Sequence, residues 1–119
     1  MKTKNLLITG FSLLVLFSTN PAHSLTMEQF SDICAQHSGD CHDLPLINAY
    51  IGGAMDLIAT LDERTDYLPT KIYCADPREI FNAEDIVAFM LRNDQNLSSE
   101  NAMISFIQYF EVNGGCADE

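Results

Sequence analysis

Cys34-x2-His37-x3-Cys41-His42 places four side chains able to hold a metal within nine residues. The types suit zinc, but the adjacent Cys41-His42 pair closes a tetrahedron awkwardly, and the spacing matches no standard finger. Oxidation competes for both sulfurs, and the preferred reading is a disulfide with two solvent-exposed histidines beside it. No metal or other cofactor is expected. His37 and His42 are also the only imidazoles beyond residue 24, and no phosphate loop, nucleophile elbow or zinc-helix motif is present. Asp62, Glu63 and Asp66 could be drawn as an acid/base group, yet acidic clusters of this kind more often form a solvated or partner-facing surface. No catalytic residue is assigned, and the chain is not expected to be an enzyme.

The cysteines carry more weight once the start of the chain is considered. Lys2 and Lys4 precede residues 6–17, which are apolar apart from Thr9, Gly10 and Ser12, and Ala22-His23-Ser24 fits a small-x-small cleavage site. This is the pattern of a secretory signal peptide over residues 1–24, leaving one domain over 25–119. The apolar run is too short to span a bilayer, and no later segment could do so, so no stable membrane insertion is expected after cleavage. Cys34, Cys41, Cys74 and Cys116 all lie beyond the leader, and an even count there implies two disulfides in an oxidising, periplasmic setting. Three pairings are open. The turn at Gly39 makes Cys34–Cys41 a short, feasible bridge, with Cys74–Cys116 as its long complement.

The full chain has 17 acidic and 6 basic side chains, a formal charge of −11. Without Lys2 and Lys4 the balance becomes 4 − 17 = −13. Nucleic acid and anionic membrane surfaces are poor partners for that field, whereas a basic protein is a good one. Acidity for solubility alone is the plainer alternative.

The elements that would position these groups are helical. Residues 44–61 hold the longest helical pattern, with Ile47, Ile51, Ala54, Ile58 and Leu61 on one stripe. Leu46, Tyr50 and Leu57 widen it, which suggests packing on more than one side. Gly52-Gly53 in its middle should be costly unless a close approach needs it. The Tyr50, Gly53 and Asp56 side is read in the first place as packing against a neighbouring helix and in the second as contacting a partner. Asp43 is the expected cap of this helix, with Pro45 in its first turn. Ahead of it, Thr26-Met27-Glu28-Gln29 reads as a capping box for a helix over 27–37 with Phe30, Ile33, Cys34 and His37 on one face. Residues 62–76 are irregular. Asp76-Pro77 starts a short turn through Phe81, and Asn82 caps a helix over 83–92 that buries Ile86, Val87, Phe89 and Met90. Residues 93–96 read as a polar break. Ser98 or Ser99 begins the last helix, with Leu97 stapled onto Ala102; Met103, Phe106, Ile107 and Phe110 follow at helical spacing, and Gly114-Gly115 is the stop. The expected fold is all-α, a small bundle of four main helices stapled by two disulfides.

Tyr50-x2-Gly53-x2-Asp56 in a long helix, Tyr73-Cys74-x2-Pro77 after it, an amphipathic helix pair and a terminal Cys116 together form a pattern that resembles a known family. It is similar to the exported immunity proteins of type VI secretion systems, in the resistance-associated group that protects bacteria from cell-wall amidase toxins. The likeness runs from about Phe30 to Cys116. Two positions depart from it: Ile47 stands where the family commonly has a cysteine, and Gly115 where it often has proline. The resemblance implies a periplasmic protein without its own chemistry that binds a toxin and occludes its cleft. On that reading the partner is a basic toxin or effector, a homodimer is allowed, and the contact surface is the loop carrying Asp62, Glu63, Asp66 and Tyr67. The competing function is a small periplasmic acid-stress chaperone, for which the many carboxylates would serve acid-induced loosening.

Overall fold

The computed structural model describes residues 24–64, 66, 68 and 70–116; the proposed leader up to residue 23 and Tyr67 lie outside the described residues. Among the described residues five α-helices follow in order: α1 (Met27–Ala35), α2 (Pro45–Glu63), α3 (Pro77–Ile80), α4 (Ala83–Leu97) and α5 (Ala102–Asn113), with a 3-10 turn at Cys41–Asp43. No strand occurs among the described residues; the one extended pairing is an isolated bridge between Thr26 and Asn101. The fold is the expected all-α bundle. Four helices are sizeable, and α3 is a single turn.

Local chemistry explains most boundaries. Thr26 accepts from the Gln29 backbone N–H at 3.2 Å, while the Gln29 side chain accepts from the Thr26 N–H at 3.0 Å, a complete capping box. Asp76 and Asn82 cap α3 and α4 as their types dictate. The cap of α2 differs from expectation. Asp43 belongs to the 3-10 turn, and Leu44 takes the N-cap position with no side-chain bond. Pro45 at the first helical position removes one N–H that would otherwise need a partner.

The break expected at 93–96 is absent. Residues 83–97 contain neither glycine nor proline, and polarity alone does not end a helix. Asp94 instead faces α1, where it accepts from the Ser31 hydroxyl at 2.9 Å. The true stop comes later, because backbone of 98–102 is recruited by the start of α1. Glu28 N–H donates to the Ser98 carbonyl at 2.9 Å, Met27 N–H to Glu100 at 3.0 Å, and Ala102 N–H to Leu25 at 2.8 Å. Two orphan donors at the start of α1 are thereby satisfied by the α4–α5 connection. Asn101, not Ser98 or Ser99, then caps α5, and Leu97 is the last residue of α4 rather than a staple. At the other end of α1, the helix stops at Ala35, and His37 lies beyond it.

The core gathers Met27, Phe30 and Cys34 from α1, Ile47, Ile51 and Ile58 from α2, Ile86, Val87 and Met90 from α4, and Phe106, Tyr109 and Phe110 from α5. Phe89 and Met103 are half-buried, and Ile107 is 43% exposed, so the last helix turns its core face toward Ser105 and Tyr109 instead. Both disulfides take the favoured pairing, Cys34–Cys41 and Cys74–Cys116. The long bridge is reinforced by backbone: Cys74 and Ala75 N–H both donate to the Gly114 carbonyl at 2.7 Å. Gly114 is required there, since a Cβ would strike the Phe110 carbonyl and lie 3.2 Å from that of Ile72.

Candidate functional site

The loop after α2 is anchored at both ends. Tyr73 is only 8% exposed and packs edge-on against Phe81, with centroids 5.0 Å apart, and against Phe110 at 6.2 Å. Cys74 follows and is tied to Cys116. At the near end, Asp62 Oδ1 accepts from the Ile72 N–H at 3.0 Å. Residues 62 and 72 are thus clasped. Burial raises the Tyr73 hydroxyl above the ordinary tyrosine range, and the nearby Asp62 and Glu63 charges raise it further.

This geometry divides the sequence-derived contact residues. Asp62 is half-buried and holds the loop closed. Glu63 ends α2 and is exposed, and Asp66 is exposed. Tyr67 lies outside the described residues. Of the family-like motif, Asp56 is exposed, Pro77 is exposed at the first position of α3, and Tyr50 is half-buried with its ring 6.3 Å from Phe30. Burial also raises the Tyr50 hydroxyl.

Gly52 and Gly53 depart furthest from expectation. No heavy atom outside the helix's own backbone and the neighbouring residues lies within 4 Å of a Cβ built at either position. The close-packing helix anticipated for the pair is not present among the described residues. The buried stripe of α2 widens only in part: Tyr50, Ala54 and Met55 are half-buried against the core beside Ile47, Ile51 and Ile58, whereas Leu46 and Leu57 are 63% and 58% exposed. Leu46, Gly53 and Leu57 instead form an edge turned to solvent beside the half-buried Tyr50. The signal for it was in the sequence all along, as a spacing of four, three and four through Leu46, Tyr50, Gly53 and Leu57.

The Cys34-x2-His37-x3-Cys41-His42 constellation loses both sulfurs to the short disulfide. Among the described residues no group of three or more His, Cys, Asp or Glu is arranged around a common metal position. A polar cleft of about 540 Å³ lies where α3, α4 and α5 meet, lined by Glu79, Asp85, Phe89, Arg92 and Tyr109. Its charges are of both signs. Burial, with Asp85 adding to it, raises the Tyr109 hydroxyl. No helix among the described residues is long and apolar enough to cross a membrane. Comparison of the chain with family profiles, curated proteins and solved structures yields no match.

Proposed function

We propose that this chain is an exported immunity protein that binds a basic antibacterial toxin, of the cell-wall amidase class, and occludes its active cleft in the periplasm. The observation that carries the reading is the charge balance on a stapled scaffold. With 17 carboxylates against 6 basic groups, one-to-one pairing within the chain would still leave 17 − 6 = 11 carboxylates over. Glu63 and Asp66 stand exposed beside a loop whose ends are fixed by the Asp62–Ile72 bond and the Cys74–Cys116 bridge. Such an arrangement steers a cationic protein and presents it with a surface that costs little ordering entropy on binding. The Tyr50-Gly53-Asp56 and Tyr73-Cys74-Pro77 motifs support the same assignment by their resemblance to resistance-associated immunity proteins.

The test is inspection of the neighbouring genes for an exported hydrolase, and co-expression of this chain with it or with a cell-wall amidase toxin. The expected result is a stable one-to-one complex, inhibition of wall hydrolysis, and survival of cells that export the hydrolase. Charge reversal at Glu63 and Asp66 should slow association most at low salt. A chain that leaves the hydrolase uninhibited, yet prevents aggregation of unfolded clients only below about pH 4, where carboxylates protonate, would refute the inhibitor reading and support the acid-stress chaperone.

A further inference from the structure

We infer that the outer face of α2 is a helix-docking seam that receives a cationic amphipathic helix of the partner, crossing closest at Gly53. The inference rests on the reading that the partner is a basic protein, and it assigns that protein a second contact surface beside the acidic loop.

Leu46, Tyr50, Gly53 and Leu57 recur at four, three and four residues, so they fall within about 60° of one another around the helix axis and extend over about 16 Å. The buried row of Ile47, Ile51 and Ile58 lies roughly 110° away on the same helix. The isoleucine row builds the core; of the other, Leu46, Gly53 and Leu57 face solvent, Leu46 and Leu57 being more than half exposed. Tyr50 is half-buried, its ring resting toward Phe30 with one side open to the seam. A 4-3-4 row of this kind is the spacing by which one helix seats side chains of another between its own. Gly53 sits in the middle, exposed, with open space where a Cβ would be. A large apolar side chain of a facing helix would fit over it, between Tyr50 and Leu57.

Charge chooses the occupant. Asp56 and Glu63 stand seven residues apart on one flank of the row, and both are exposed. One heptad earlier the same flank carries the small, exposed Ala49, so the acidic edge runs along the C-terminal half of the seam. No lysine, arginine or histidine occurs anywhere in Pro45–Glu63. Flanking positions of a helical seam pair with opposite charge on the partner, so the facing helix carries Lys or Arg opposite Asp56 and Glu63. A second copy of this chain would bring the same acidic flank and the same net negative charge, and is disfavoured.

A synthetic 21-residue helix with Leu at its seam positions and Lys at the flanks provides a probe independent of any toxin. Its affinity for the disulfide-intact exported protein is measured by fluorescence anisotropy at two salt concentrations. Gly53→Leu and Leu57→Ser, neither of which alters the charge, should each weaken binding about tenfold or more, whereas Asp66→Asn, on the loop, should change it less than about threefold. Circular dichroism and thermal melts accompany each variant; Gly53→Leu places a helix former in open space and should keep the fold. Equal affinity of wild type and Gly53→Leu would overturn the seam, because attraction to the probe would then be charge alone. A wild-type dimer in sedimentation that Gly53→Leu converts to monomer would overturn the choice of occupant. Should the hydrolase prove not to be the partner, loss of probe binding in Gly53→Leu would still uphold the seam. Should the hydrolase be inhibited equally by wild type and Gly53→Leu, the seam alone would fall.

Discussion

Replacing Gly52 and Gly53 together by alanine should make the protein more stable. Glycine in a helix interior is about 0.8–1.0 kcal/mol less favourable than alanine, because the unfolded chain loses more conformational freedom and the folded helix gains no side-chain contact. That cost is normally repaid where a neighbour packs against the bare backbone. Here nothing lies within 4 Å of either added Cβ, and neither glycine has positive φ. The methyl groups therefore meet no obstacle, and the double variant should gain about 1.5–2 kcal/mol. For a domain of this size, 1 kcal/mol moves the melting midpoint by roughly 4–8 °C, so a rise of about 6–16 °C is expected. Urea unfolding of the disulfide-intact protein, monitored by circular dichroism, measures the free energy directly. The two sites should separate on the binding axis: Gly53→Ala stabilises and weakens the amphipathic probe, while Gly52→Ala, about 100° away around the helix, stabilises and leaves the probe alone. An unchanged or lowered midpoint in the double variant would refute the claim that both positions are open within the folded chain.

Other perturbations read the scaffold. Gly114→Ala should destabilise by about 2–4 kcal/mol, since its Cβ would strike the Phe110 carbonyl and disturb the bonds from Cys74 and Ala75; the midpoint of urea unfolding checks this. Replacing Cys74 and Cys116 by serine should cost about 4 kcal/mol, against about 2.5 kcal/mol for Cys34 and Cys41, because the bridges close loops over separations of 42 and 7 residues; parallel denaturation curves decide the order. Asp62→Ala should cost about 1–2 kcal/mol and accelerate amide exchange at Ile72, whose N–H loses its acceptor. At high pH, Tyr50, Tyr73 and Tyr109 all resist ionisation in the fold because burial disfavours the phenolate. Their raised values mean the unfolded chain releases those protons first. Stability should thus be intact below about pH 10 and fall as pH rises above it, with tyrosinate absorbance appearing late and together with unfolding.

Periodicity and caps made the fold legible because each is a local rule. Thr26 with Gln29, Asp76 and Asn82 all start helices where their side chains can reach free N–H groups. The failures share a cause as well. Asn101 replaces the serines as cap of α5 because α1 draws on the Ser98 and Glu100 carbonyls, which is a contact across some seventy residues that no local window contains. Asp62 likewise reads as one more surface carboxylate until its bond to Ile72 is known. Composition could not tell a clasp from a contact residue.

The central helix shows the same limit in a sharper form. Its sequence contains two apolar rows, Ile47-Ile51-Ile58 and Leu46-Tyr50-Gly53-Leu57, and periodicity alone cannot say which is inside. Side-chain type gives a hint. The buried row is β-branched isoleucine throughout, which fills a fixed core with few rotamers, while the outer row combines two exposed leucines and an exposed glycine with a half-buried tyrosine. A mixed row of large and absent side chains packs poorly as a self-contained core and well as a surface into which another helix's side chains fit. The glycines would be a destabilising excess in a helix that served only as scaffold. With space open above Gly53 and the Asp56 and Glu63 carboxylates on one flank, α2 is both the scaffold of the bundle and a face built for a cationic neighbour.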